Sequence, residues 1–372
     1  MEIKIAIVHD WLVVRGGAER VLERLLCLYP TADLYCLFGN KSAYIEPISP
    51  KRKFNTSFLD KIPFFYRFYR LCAIFMPFAV QSLKLDSYDL IITSSWAFAH
   101  GVKKNKNAKH LAYVHSPMRW AWDMEDEYLS RSKIPEFAIK HVKKQLGYLR
   151  KWDVIAAQKP DLIVANSSFI QKRILKNWGR KSIIIHPPVI VGGNFHRVVK
   201  HNCYISISRL VQNKRIDKII SAFKHLPDKE LIIAGEGPER YKLEKNSSNN
   251  VSFVGFLSDE KKFNLLIGSK AMIQASNEDF GISLVEANAC GIPAIAYSGG
   301  GASEIIQNVT DKNPTGLLFD DLDPKRIAHS INLFEKYKFE RVNCKTQASK
   351  FSSNIFDAKI VGILKNLMDK ID

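Results

Sequence analysis

Short apolar runs rich in β-branched residues recur along this chain. Each ends in a polar or glycine-containing turn and is followed by a stretch with helical spacing. In the first half the runs fall at 3–8, 32–37, 89–94, 110–115, 161–166 and 182–186. In the second they fall near 203–208, 230–235, 251–255, 270–275, 293–298 and 316–319. Continuous apolar runs separated by helix-length segments predict parallel sheets assembled from βαβ units, here two doubly wound α/β domains. The change-over falls at His186-Pro187-Pro188, followed by Gly192-Gly193, where two prolines block regular pairing. This predicts one domain over 1–188 and a second over 189–353. The remainder, about 354–370, carries Phe356, Ile360, Ile363, Leu364, Leu367 and Met368 at helical spacing, with Ile355 and Val361 beside them. A terminal helix this apolar docks on something, either its own domain or the first.

Composition agrees with that outline and adds one asymmetry. At 372 residues the chain is longer than a single core usually grows. It holds no uncharged apolar run of about 18 residues that would span a bilayer. Met1-Glu2-Ile3-Lys4-Ile5-Ala6-Ile7-Val8 reads as a strand rather than an export signal, which predicts a cytoplasmic protein. The six cysteines (27, 36, 72, 203, 290 and 344) show no paired spacing and read as reduced thiols, not metal ligands. The net charge of +18 is uneven: residues 1–186 hold 30 Lys and Arg against 16 Asp and Glu, residues 187–372 hold 25 against 21. A basic first half suits nucleic acid or an anionic membrane, or simply keeps the protein in solution.

The chemistry-bearing residues cluster where apolar runs end. Ala271-Met272-Ile273-Gln274-Ala275 leads through Ser276-Asn277-Glu278-Asp279-Phe280-Gly281 into a helix that begins with Ile282-Ser283 and carries Glu286. A strand that turns through glycine into a helix presents free backbone N–H groups at the carboxyl edge of a sheet, where α/β proteins hold phosphates. Two carboxylates there imply a ligand with hydroxyls as well as phosphate. Arg209 and Lys214 follow the run 203–208 in the same kind of position, and Ile233-Ala234-Gly235-Glu236-Gly237-Pro238 ends the next. In the first half Asp10 and Gly16-Gly17 follow the opening strand, the glycine pair being a possible anion cradle. The string Tyr113-Val114-His115-Ser116-Pro117-Met118-Arg119-Trp120-Ala121-Trp122-Asp123 begins in the fourth run, which His115 ends.

Glu278 and Glu286, eight residues apart, with the glycine turn between them and Asn288-Ala289-Cys290-Gly291-Ile292-Pro293 and Gly299-Gly300-Gly301 after them, resemble the E-x7-E region of retaining glycosyltransferases of family 4. The resemblance implies a GT-B fold: two Rossmann-like domains facing a central cleft, with the C-terminal helix, 354–372, crossing back to the first domain. It implies that Arg209 and Lys214 bind the donor diphosphate and stabilise it as it leaves. Glu278 would contact hydroxyls of the donor sugar and Glu286 the ribose. Backbone groups around Phe280, Gly281, Ile282 and Ser283 would take sugar and phosphate oxygens, with Gly16, Gly17, Gly235 and Gly237 also on the donor. His115, expected to project at the cleft mouth, falls near the donor sugar, and Asp10, Arg119 and Asp123 fall on the acceptor side. The string 115–123 is similar to bacterial mannosyltransferases of O-antigen and exopolysaccharide assembly, which implies GDP-mannose as donor. Retention without an enzymic nucleophile implies front-face departure and attack. No D-x-D sits on a plausible strand end, since Asp321-Leu322-Asp323 fits a loop or helix start, so no metal and no cofactor are expected.

Residues 58–78 form the most aromatic stretch, interrupted by Lys61, Arg67 and Arg70. Lys143, Lys144, Arg150 and Lys151 add charge further on. Such a surface predicts reversible docking on the inner face of the cytoplasmic membrane, within reach of a polyprenyl-diphosphate-linked glycan acceptor. A helix hairpin packed on the first sheet is the other reading. A UDP-sugar-dependent transferase of the same family and a nucleotide-sugar epimerase on the same fold compete within the enzymes. A basic nucleic-acid-binding protein competes from outside, though no RNA-stacking motif accompanies the charge.

Overall fold

The computed structural model describes residues 3–13, 16–39, 54–131, 135–191 and 202–369. Met1-Glu2, Val14-Arg15 and Gly192-Gly193, which carried sequence expectations, lie outside the described residues. The chain divides into two compact units, Met1–Pro187 with Asp357–Asp372, and Pro188–Phe356.

The first unit is built on a seven-stranded, all-parallel sheet in the order β3-β2-β1-β4-β5-β6-β7. The strands are β1 (Ile5–His9), β2 (Asp33–Cys36), β3 (Phe54–Thr56), β4 (Leu90–Ser95), β5 (Lys109–Val114), β6 (Leu162–Ala165) and β7 (Ile183–Ile184). The central strands are almost wholly buried and largely apolar because helices cover both faces. Ala6, Ile7 and Val8 of β1 and Ile91 and Ile92 of β4 are wholly buried. Helix Gly17–Leu28 follows β1. Its buried Val21, Leu22, Leu25 and Leu26 repeat at helical spacing and turn that side onto the sheet. The C-terminal helix, Ser353–Met368, reaches this unit through Asp357, which pairs with Arg24 of that first helix, Arg24 Nε donating to Asp357 Oδ1 at 2.7 Å.

The second unit carries a six-stranded parallel sheet, β10-β9-β8-β11-β12-β13. Its strands are β8 (Tyr204–Ile207), β9 (Leu231–Ala234), β10 (Val251–Gly255), β11 (Ala271–Gln274), β12 (Ala294–Tyr297) and β13 (Gly316–Phe319). In chain order this is the 3-2-1-4-5-6 arrangement of dinucleotide-binding sheets. Asp323 caps helix Pro324–Phe334 by accepting the Lys325 and Arg326 N–H groups, so Asp321-Leu322-Asp323 leads into a helix start, one of the readings its sequence offers.

Both sheets reverse their winding at one place: between β1 and β4 in the first, between β8 and β11 in the second. At that point the following loops run off to opposite sides, leaving a crevice at the carboxyl ends of the two strands. The sequence motifs sit at those ends.

Candidate functional site

In the second unit β8 delivers Ser208-Arg209 and a short 3-10 turn, Gln212–Lys214. Its neighbour β11 delivers the 276–281 loop and helix Ile282–Ala289, with Gly281 as N-cap. The two loops meet where the sheet reverses. Lys214 Nζ lies 2.5 Å from Glu278 Oε1, and Ser276 Oγ donates to the same oxygen at 2.6 Å. Both partners of the ion pair keep 19% of their side chains exposed, so a ligand can reach them. Arg209 is exposed in the same loop. Ile282 and Ser283 occupy the first helical turn, where N–H groups have no intrahelical acceptor. Ser283 Oγ donates to Gln274 Oε1 at 3.3 Å, while the Phe280 side chain is core, packed against Phe351 at 5.4 Å.

Glu286 lies one turn further along that helix, buried, and a residue that sequence reasoning passed over holds it. Lys262, from helix Asp259–Gly268, donates to Glu286 Oε1 and to Asp259 Oδ1, each at 2.8 Å. Both side chains of the Lys262–Glu286 pair are under a tenth exposed. Gln274 was also passed over. It is 7% exposed at the end of β11, and its Nε2 has no hydrogen-bond partner among the described residues. A buried amide donor beside this helix start asks for an acceptor.

The glycine turns serve the protein's own packing. Gly235 (φ +138°) lies so close to the β8 loop that a Cβ there would fall 1.8 Å from the Ser208 carbonyl oxygen, and Gly237 similarly abuts Leu210. These two glycines thus bring the β9 turn onto the Arg209 loop. Gly300 does the same for the carboxylate loop: a Cβ would meet the Glu278 carbonyl at 2.0 Å, and the Gly301 N–H donates to that carbonyl at 2.9 Å.

In the first unit the structure corrects three expectations. Asp10 does not face an acceptor. It is wholly buried, Oδ2 accepting the Trp96 and Ala97 N–H groups at 2.6 and 2.9 Å, and Oδ1 those of Phe98 and Ala99 at 2.6 and 2.7 Å. Its work is to tie the turn after β4 to the end of β1. The Gly16 N–H does not cradle an anion, because Glu19 Oε2 accepts it at 2.7 Å; Gly17, the first helical residue, is exposed. His115 does not project. It is 8% exposed, its Nε2 lies 2.8 Å from Ser94 Oγ, and burial, with His9 nearby, lowers its pKa to about 3, so it is neutral. Asp123 pairs with Arg173, whose Nε donates at 2.6 Å and whose Nη1 donates to Ser116 Oγ at 2.6 Å. Arg119 is half-buried four residues before Asp123. No group of three or more His, Cys, Asp or Glu that could hold a metal ion, and no helix long and apolar enough to cross a membrane, occurs among the described residues.

Two parallel Rossmann-like sheets, with cation and carboxylate loops converging at the switch point of the second, define the architecture of GT-B glycosyltransferases. Residues 15–191 match the model described as Glycosyltransferase Family 4, and residues 195–351 that of Glycosyl transferases group 1, so the two matches take in both halves. The chain belongs to the glycosyltransferases, its first half matching family 4. It is 33% identical over 134 residues to a GDP-mannose-dependent alpha-(1-6)-phosphatidylinositol dimannoside mannosyltransferase of Mycobacterium tuberculosis, covering 34% of each chain. It is 33% identical over 147 residues to the N-acetyl-alpha-D-glucosaminyl L-malate synthase of Bacillus anthracis, covering 37% of each. The chain thus spans about a third of the length of these relatives. Anabaena HepE in complex with UDP shares the fold, with TM-score 0.70 at 19% identity over 98% of this chain and 100% of that one.

Proposed function

We propose that the protein is a retaining glycosyltransferase that moves a hexose, mannose from GDP-mannose, to a lipid-linked or oligosaccharide acceptor in synthesis of a bacterial surface polysaccharide. The observation that carries the reading is the meeting of Lys214 with Glu278 at the switch point of the second sheet, Arg209 beside them. A diphosphate carries more negative charge than one carboxylate and competes for Lys214, which frees Glu278 for hydroxyls of the sugar. Glu286, held by Lys262, supplies an acceptor for the ribose hydroxyls. The bond from the anomeric carbon to the β-phosphate oxygen breaks and its electron pair stays on that oxygen, where Arg209 and Lys214 stabilise the growing charge. The acceptor hydroxyl oxygen bonds the anomeric carbon on the same face and its proton passes to the departing phosphate. No step in this scheme needs a metal.

Mannose and GDP are supported by the GDP-mannose-dependent activity named for the mycobacterial relative, whereas UDP in the HepE complex supports the other base. A membrane-facing role is supported by the segment 58–81. Phe65, Met76, Ala79 and Val80 pack into the core of the first unit. Phe64, Leu71, Phe75 and Phe78 are 54–84% exposed, with Arg67 over the Phe64 ring at 5.0 Å. So the segment packs on the unit and still presents large apolar side chains to the outside, the surface a peripheral protein at an inner leaflet needs.

A thermal-shift panel of GDP, UDP and their sugars tests the donor. GDP and GDP-mannose should raise the melting temperature, as about 2.7 kcal/mol of linkage at a hundredfold excess over Kd requires, and Lys214→Ala should remove the shift. Stabilisation by UDP-sugars alone would replace the base, and silence from every nucleotide would reject the reading.

A further inference from the structure

Four buried side chains of the first unit line up without a part in the reading above. His9 ends β1, Ser94 is its register partner on β4, and Ser94 in turn pairs with Tyr113 of β5. His115 lies two residues beyond Tyr113, so His9, Ser94 and His115 share one face of the sheet. Ser94 Oγ is 2.8 Å from His115 Nε2 and 3.1 Å from His9 Nδ1. His9 Nε2 is 3.5 Å from Glu19 Oε1, and Glu19 Oε2 accepts the Gly16 N–H at 2.7 Å. His9 and Ser94 are 0% exposed, Glu19 6% and His115 8%.

One boundary condition sets the direction of every bond in this row. A carboxylate only accepts, so the His9 nitrogen facing it, Nε2, carries a proton. With that one ring proton, His9 has a bare Nδ1, which accepts the Ser94 hydroxyl proton. Ser94 Oγ, having donated, accepts from His115 Nε2–H. That leaves His115 Nδ1 bare, and it has no partner among the described residues. The opposite order puts a proton on His9 Nδ1, which leaves Nε2 either bare against the Glu19 carboxylate or protonated as well.

We propose that Glu19, His9 and Ser94 are positioning residues that hold His115 in its Nε2–H tautomer, with Nδ1 offered as a hydrogen-bond acceptor to a sugar hydroxyl. The sugar rests on the glycosyltransferase reading; the tautomer does not. Because Glu19 also holds the Gly16 N–H, the same row fixes the turn that opens helix Gly17–Leu28.

Long-range proton–nitrogen spectra of the full chain with 15N-labelled histidine test this, His115 and His9 being assigned from His115→Asn and His9→Asn. His115 should show the Nε2–H form alone, and His9 a proton on Nε2 and none on Nδ1. An Nδ1–H signal at His115, or a proton on His9 Nδ1, overturns the proposal, and this spectrum decides even where no transfer is found. Ser94→Ala and Glu19→Gln should each mix the His115 tautomers and lower kcat about 10-fold, the scale of one misdirected hydrogen bond, with donor KM within about twofold. An unchanged kcat in a folded variant whose tautomers are mixed rejects the positioning role.

Discussion

Replacing Asp10 by Asn separates a carboxylate that shapes the first unit from one that meets a substrate. The side chain keeps its outline, but one acceptor oxygen becomes an NH2 donor. Whichever way the amide settles, one pair of N–H groups, Trp96 with Ala97 or Phe98 with Ala99, loses its acceptor. A hydrogen bond to a charged group contributes about 1.5–3 kcal/mol, so two lost bonds cost about 3–6 kcal/mol before any donor–donor repulsion. Against a domain stability of about 5–15 kcal/mol that is a large fraction. The melting temperature of a unit this size should fall on the order of 10 °C. Urea unfolding followed by tryptophan fluorescence is the assay, since Trp11 and Trp96 pack edge to face at 4.1 Å beside the turn. A variant that unfolds at the wild-type urea midpoint but has lost transfer would refute the structural role and return Asp10 to the acceptor.

Lys262→Met removes one member of a buried ion pair and should cost about 3 kcal/mol, with part recovered in Lys262→Met/Glu286→Gln; simple addition of the two costs in urea titrations would sink the coupling. Burial by itself would raise the Glu335 pKa, but hydrogen bonds from Lys229, Lys270 and Tyr204 bring it down to about 2. That depressed pKa stabilises the fold above the ordinary value of 4.5 and the contribution fades as pH falls towards 2. The stability gap between wild type and Glu335→Gln should therefore be full at neutral pH and shrink below 4.5; a gap that widens in acid contradicts the sign. For the outer face of the 58–81 segment, the wild type should float with anionic vesicles at low salt, and Leu71→Glu/Phe78→Glu should stay in the pellet. Equal flotation of both would remove this segment from membrane docking.

Nearly all of the fold is legible in the sequence because both sheets are parallel and covered on two faces. Each of the twelve apolar runs coincides with a strand to within a residue or two, since a central parallel strand is buried on both faces and carries few polar residues to interrupt the pattern. The exceptions lie at edges. β3, Phe54–Thr56, went unread because its three half-buried residues carry no apolar run, and its pairing with Leu34–Cys36 is all that defines it. The run 182–186 yields only two strand residues at the other edge, although the Ile185 N–H still bonds the Ala165 carbonyl at 3.0 Å. Edge strands pair on one side, so less of their sequence is constrained.

The site is legible only as far as one loop at a time. Arg209 with Lys214, and Glu278 with Gly281 and Glu286, can each be read as a strand end opening a helix, and each stands at one. What brings Lys214 to Glu278 is that β8 and β11 are neighbours, and what brings His9 to Ser94 is that β1 and β4 are neighbours, although 85 residues separate the latter pair. Strand order is a property of the whole sheet, and no local spacing encodes it. The residues passed over, Lys262, Gln274, His9 and Ser94, act through such cross-strand or cross-helix meetings. The same reasoning explains why Asp10 and Gly16, expected at a ligand, bond to groups of this same chain. A polar residue at a strand end looks identical in sequence whether it meets a ligand or the neighbouring loop, and at a switch point the neighbouring loop is within hydrogen-bonding reach. Gly235 and Gly300 carry the point further: their missing side chains admit backbone of this same chain, so what a motif glycine accommodates is decided by the fold around it before any ligand arrives.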